Sequence, residues 1–152
     1  SVETMGALAK LDKIAGVKDA TGDLGRVALQ ALACGDKFIQ LSGNDESAVG
    51  FNAQGGVGCI SVTSNLAPDL CAKMQNASLA GDYKTAKAIN DKLAALHKAL
   101  FIEPSPGPIK YACALLGLCT EEVRLPLVPP SAEAKTQIRA AMRLAGLTDI
   151  PA

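Results

Sequence analysis

Three short apolar runs, each closed by polar or glycine-rich residues and each followed by a helical pattern, constrain this chain more than any other feature. They are Ile14-Ala-Gly-Val-Lys18, Phe38-Ile-Gln-Leu-Ser42 and Cys59-Ile-Ser-Val-Thr63, with starts 24 and 21 residues apart. That interval fits a strand, a loop and a helix of about a dozen residues per repeat. Runs that are nearly unbroken in apolar residues suit parallel strands covered on both faces, whereas half-solvated antiparallel strands alternate. Residues 1–80 therefore read as three βα units preceded by a helix at about residues 2–11.

The punctuation agrees with that reading. Asp23 is placed to cap a helix carrying Val27, Ala28, Ala31 and Leu32, with Gly35 to stop it. Asp45 is placed to cap a shorter one reaching Gln54, and Pro68 suits a first helical turn on a stretch that runs to Gly81. Beyond Gly81 no strand is expected. Ile89, Leu93, Leu96 and Leu100 form an apolar seam at helical spacing, and three prolines in Glu103-Pro-Ser-Pro-Gly-Pro108 must end that helix. A second helix fits residues 109–116, an extended connector 125–130, and a third helix runs from a Ser131 cap to Gly146. Residues 81–152 are thus expected to form a helical domain.

Composition enters by exclusion. With 152 residues, 49% of them hydrophobic, the chain can bury a sizeable core. Its 15 basic and 15 acidic residues cancel, which removes the electrostatic attraction that nucleic acid and anionic membranes require. The five aromatics are too dispersed for a base-stacking platform, and charged residues interrupt every stretch long enough to span a bilayer. The opening SVETMGALAKLDK has no signal-peptide pattern. Five cysteines without a C-x-x-C pair point to structural thiols in a reducing, cytoplasmic setting, and nothing clusters as metal ligands. His97, the single histidine, reads as lying off its helix's apolar stripe and in solvent.

Ligands of parallel α/β folds gather at the carboxyl ends of the strands. Those ends hold Lys18-Asp19, Ser42-Gly-Asn-Asp45 and Ser61-Val-Thr63. A lysine closing an apolar strand can have its amine in or at the mouth of the core. Poor hydration there favours the free amine, the form that attacks a carbonyl to give a Schiff base. Alternatively the side chain snorkels to water or pairs with Asp19. Gly16 and Gly43 suit close approach of backbone to a ligand, and equally a tight turn. Gly55-Gly-Val-Gly58 follows a helix and leads into a strand, the reverse of a phosphate-binding loop. The hydroxyls of Ser42, Ser61, Thr63 and Ser64 have no histidine base in pattern, so a hydrolase triad is poorly supported.

The wording of the motifs is more specific than their spacing. Ile14-Ala-Gly-Val-Lys-Asp-Ala-Thr-Gly22, Leu41-Ser-Gly-Asn-Asp-Glu-Ser47 and Gly55-Gly-Val-Gly-Cys-Ile-Ser-Val-Thr-Ser-Asn65 closely resemble the second half of the dihydrodipicolinate synthase family. Phe101-Ile-Glu-Pro-Ser-Pro-Gly-Pro-Ile-Lys110 and Arg124-Leu-Pro-Leu127 extend the likeness over essentially the whole chain.

The resemblance implies the last three βα units of a (β/α)8 barrel, strands six to eight, followed by a C-terminal three-helix domain. It implies a lyase in which pyruvate forms a Schiff base with a lysine, becomes an enamine and attacks aspartate semialdehyde on the way to lysine and diaminopimelate. No cofactor or metal is implied. The family's lysine maps onto Lys18, its substrate-side glycine onto Gly43, and its pocket isoleucine onto Ile60. Asn44 stands where the family often has Asp. The family's tetramer of tight dimers makes a homo-oligomer the expected assembly.

What the resemblance does not find is equally informative. The Tyr-Asn-x-Pro segment with its relay tyrosine, the threonines for the pyruvate carboxylate and the lysine-feedback site have no counterpart here, and Tyr83 and Tyr111 fall in the helical part. Three strands cannot close an eight-stranded barrel. The expected partner is a missing N-terminal barrel half, without which the chain is expected to be inactive. The rival readings are another pyruvate-dependent lyase, such as an N-acetylneuraminate lyase, and a non-catalytic fragment acting by association through its open sheet edge.

Overall fold

A computed structural model describes residues 1–147 as two units. Seven α-helices and two β-strands lie among the described residues, an α/β chain with few strands. No helix there is long and apolar enough to cross a membrane.

The first unit contains Ser1–Ser61 and Met74–Ala86. It begins with α1 (Val2–Leu8), whose Ser1 Oγ accepts the Thr4 N–H at 3.2 Å. β1 (Gly16–Asp19), α2 (Gly25–Cys34), β2 (Ile39–Ser42), a 3-10 turn (Asp45–Ser47) and α3 (Ala48–Ala53) follow. β1 and β2 pair in parallel, Lys18 opposite Leu41 and Asp19 opposite Ser42. Gly16 lies opposite Ile39 so closely that an added Cβ would stand 2.1 Å from the Ile39 carbonyl oxygen. Only glycine fits there.

Alternation sends Asp19, Gln40 and Ser42 to one face of the pair, where all three are buried. α2 covers that face, with Gln40 Nε2 donating to Val27 O at 3.0 Å. The other face carries Lys18, Ile39 and Leu41 and stays open, leaving Lys18 exposed and Ile39 at 46%. The sequence predicts cover on both faces. Within this unit α2 covers the Asp19, Gln40 and Ser42 face, while the Lys18 face remains exposed.

The third run behaves differently from the first two. Ser42 donates to Gly58 O at 2.9 Å and accepts from Ile60 N at 2.8 Å, an isolated parallel bridge between Ser42 and Cys59. The expected strand to Thr63 does not form, because the segment has β2 on one side and gains no ladder from a second neighbour. Thr63–Asn65 instead turns into a 3-10 helix, with Asn65 N–H donating to Val62 O at 3.1 Å.

Helix boundaries follow local signals. Gly35 closes α2 at φ 88°, and Asp23 acts one residue before the N-cap, its Oδ1 accepting the Gly25 N–H at 2.9 Å. The buried face of α2 is Val27 and Gln30, while Leu32, expected to be inside, is 85% exposed. Asp45 does not cap α3; its buried carboxylate accepts the Ser61 hydroxyl.

The second unit contains Val62–Lys73 and the described residues from Lys87 onward. α4 (Pro68–Leu79) and α5 (Tyr83–Ala99) therefore each have residues in both units, whereas the sequence divides the chain near residue 80. α6 (Gly107–Leu115) and α7 (Ala132–Leu144) complete it. Leu93, Leu96 and Leu100 are fully buried with Ile138 and Met142. Ser131 caps α7 through the Ala134 N–H at 3.2 Å and is itself held by Glu103, to which its hydroxyl donates at 2.6 Å.

His97 overturns its expected place. It is 1% exposed, with Nδ1 2.7 Å from Thr63 Oγ1. Four residues beyond Leu93 and three before Leu100, it belongs to the buried stripe of α5, so packing takes it inside despite its polarity.

Candidate active site

The candidate residues gather where β1, β2 and the Cys59 bridge end, all within the first unit. Their backbones are tied in one row. Gly43 N–H donates to Asp19 O at 2.7 Å, and Ile60 N–H donates to Ser42 O at 2.8 Å. Ser42, 1% exposed, clamps Asn44 from both sides: its hydroxyl donates to Asn44 O at 2.9 Å and accepts the Asn44 N–H at 3.1 Å. Ile60 is 46% exposed.

Lys18 and Gly43 meet directly. A Cβ built on Gly43 would stand 2.9 Å from Lys18 Cε and 2.7 Å from Ala20 Cβ, inside van der Waals contact. The bare Cα of Gly43 thus leaves room for the lysine stem. Asn44 faces Gly22, where an added Cβ would lie 3.4 Å from its Nδ2.

Asp19 is not the partner of Lys18. Consecutive strand residues point to opposite faces, so the carboxylate turns toward α2 while the amine turns to the open face. Asp19 Oδ1 accepts the Thr21 N–H at 2.9 Å and the Thr21 hydroxyl at 2.6 Å. Its Oδ2 accepts Arg26 Nε at 3.1 Å and Gln30 Nε2 at 2.6 Å. Burial pushes the Asp19 carboxyl up, but hydrogen bonds from Thr21, Arg26 and Gln30 outweigh it and hold it at about 2. The network locks the end of β1 to α2 and so fixes the strand position that presents Lys18. The sequence pattern does not reveal this network; the one signal that could have found it is Gln30, a polar residue three positions after Val27 on the buried side of α2.

No group of three or more His, Cys, Asp or Glu positioned to hold a metal ion occurs among the described residues. A concavity of about 760 Å³ lies in the second unit, lined by Lys110, Thr120 and Arg124. It does not contain the candidate lysine, which is exposed on the open face of the strand pair.

A strand-end lysine on the uncovered face of parallel βα units, beside a glycine kept bare, defines the class: an α/β chain with a candidate amine nucleophile at its strand ends. Comparison with known proteins then narrows it. Residues 1–145 match the model of the Dihydrodipicolinate synthetase family, and the chain belongs to that family. It is 57% identical over 147 residues to the 4-hydroxy-tetrahydrodipicolinate synthase of Parvibaculum lavamentivorans, covering 97% of this chain and 50% of the relative. The synthase of Ruegeria pomeroyi is 61% identical over 144 residues, covering 95% and 50%. Among solved structures, dihydrodipicolinate synthase from Aquifex aeolicus superposes with a TM-score of 0.93 at 36% identity, over 97% of this chain and 50% of that one. The chloride-inhibited enzyme of Acinetobacter baumannii, solved in complex with pyruvate, gives 0.91 at 38% identity, over 96% and 50%. The chain spans about half the length of the curated relatives it matches.

Proposed function

We propose that this chain is the C-terminal portion of a 4-hydroxy-tetrahydrodipicolinate synthase, a lyase in which Lys18 carries the covalent chemistry. The Lys18 amine attacks the ketone carbon of pyruvate, water leaves, and an iminium forms. Loss of a methyl proton gives an enamine whose carbon attacks the aldehyde of aspartate semialdehyde, forming the new C–C bond as the aldehyde oxygen takes a proton; the substrate's own amine then attacks the iminium carbon, and the lysine amine leaves as the ring closes. Gly43 gives the lysine stem room, while Asn44 and the backbone and side chain of Ile60 line the substrate side. The observation that carries this reading is the Lys18–Gly43 contact on the open face, found in a chain so similar to named synthases.

The reading divides the chain into the last three βα units of a (β/α)8 barrel, residues 1–80, and a C-terminal three-helix domain, residues 81–152. The partner is an N-terminal barrel half, which closes over the face bearing Lys18, Ile39 and Leu41. Covering that face removes water from the amine and brings the acid–base and carboxylate-binding groups that residues 1–147 do not assemble there. A homo-oligomer, working in the cytoplasm, completes the proposal.

Borohydride reduction in the presence of pyruvate, read by intact mass, tests it. The expected result is an adduct on Lys18 once the N-terminal half is supplied, little or none without it, and none in Lys18→Ala under either condition. Pyruvate trapped in Lys18→Ala would overturn the assignment of the nucleophile.

A further inference from the structure

Unit two contains a cysteine pair that the proposed chemistry does not use. α6 ends in two interlocked turns: Gly117 N–H donates to Ala114 O and Leu118 N–H to Cys113 O, both at 3.0 Å, with Gly117 at φ 71°. This closure requires a left-handed residue, which glycine adopts without strain. It wraps the chain back along the helix, so that the Cys119 thiol reaches Lys110 O at 3.9 Å. Lys110 lies three residues before Cys113, on the same side of α6. Helical side chains lean toward the N-terminus, which aims Cys113 at that same spot.

The two thiols differ in what surrounds them. Cys113 is 9% exposed, and its thiol also reaches Asn65 O at 3.9 Å. Burial pushes it up, and the adjacent Cys119 thiol adds to that by charge and by hydrogen bonding. Cys119 is exposed. One thiol is open to a small oxidant, and the other waits behind it, protonated and shielded.

We infer that Cys113 and Cys119 form a peroxide-oxidisable dithiol, a reversible modification site that closes as a disulfide across the C-terminus of α6. Cys119 attacks hydrogen peroxide as its thiolate. An S–O bond forms, the O–O bond breaks, and hydroxide leaves and is protonated to water. Cys113 then gives up its proton and attacks the Cys119 sulfur; the S–S bond forms, the S–O bond breaks, and a second water leaves. Two thiols lose two electrons and two protons while one peroxide becomes two waters, and a dithiol reductant reverses the change. The bond ties the chain that follows α6 back onto the helix, near Lys110 and Arg124, which line the 760 Å³ concavity.

Trypsin provides a direct readout, because cleavage after Lys110 and Arg124 releases both cysteines in one peptide, residues 111–124. The reduced, folded chain is treated with equimolar hydrogen peroxide, alkylated and digested. The expected peptide is two hydrogens lighter, unalkylated, and restored by dithiothreitol. Cys119→Ser should leave Cys113 reduced at the same peroxide dose, and Cys113→Ser should leave a sulfenic acid on Cys119 that dimedone traps. A wild-type peptide carrying sulfinic Cys119 beside a free Cys113, or cross-linked to another peptide, overturns the inference. That mass is read on the wild-type chain, so a folding defect in Cys113→Ser cannot obscure it. The site is independent of the Schiff-base reading, since pyruvate trapping at Lys18 is scored on a different peptide.

Discussion

Gly43 lacks a side chain where Lys18 passes: a methyl there would stand 2.9 Å from Lys18 Cε and 2.7 Å from Ala20 Cβ. Overpacking of this kind costs about 1–3 kcal/mol. Gly43→Ala should displace the lysine stem and slow reductive trapping of pyruvate in the completed enzyme by about tenfold or more, the equivalent of 1.4 kcal/mol in the barrier. Trapping at the wild-type rate would show that the stem escapes the clash without moving the amine.

Asp19 links stability to acid. Its folded value, about 2, lies below the ordinary 3.8, so the ionised form is the one the native state binds. The sign follows from linkage: stability from Asp19 is fully present above about pH 4 and is lost as pH falls through about 2. Asp19→Asn should cost about 2 kcal/mol at neutral pH and flatten that part of the acid unfolding curve, measured by urea titration at stepped pH.

Thr63 and His97 share a buried hydrogen bond of 2.7 Å. Thr63→Val keeps the shape and removes the hydroxyl, leaving Nδ1 without that partner in a buried site. The expected loss is about 1–3 kcal/mol by chemical denaturation. A neutral result would mean that Nδ1 finds another partner.

Ser131 caps α7 and also bonds Glu103, joining two distant segments at one hydroxyl. Ser131→Ala should destabilise by about 1 kcal/mol through the cap, and somewhat more because the Glu103 carboxylate loses the hydroxyl and keeps only the Ser131 N–H at 3.1 Å. Glu103→Gln in the Ser131→Ala background should then add little, a double-mutant cycle that separates the two contributions.

The helix punctuation was largely legible in the sequence. The Ser131 cap, the Gly35 stop and the first-turn Pro68 all stand where the pattern predicts them. Asp23 and Asp45 were less legible, because a carboxylate near a helix start can serve the helix or a distant hydroxyl, and Asp45 takes Ser61. The Lys18 motif could be read too, but not the Asp19–Arg26–Gln30 network behind it, whose members are 7 and 11 residues from Asp19.

What the chain determined by itself is therefore local: the βα rhythm, the starts and stops of helices, and a lysine and a glycine at successive strand ends. Those features depend on contacts a few residues apart, which composition and spacing encode directly. The tertiary structure decided which surfaces meet water. It covered the Asp19 face of the strands and left the Lys18 face open, drew His97 inside, and reduced the third apolar run to a single bridge at Cys59. Burial and strand pairing depend on neighbours remote in sequence, and an apolar run has the same pattern whether or not such a neighbour is there to cover it.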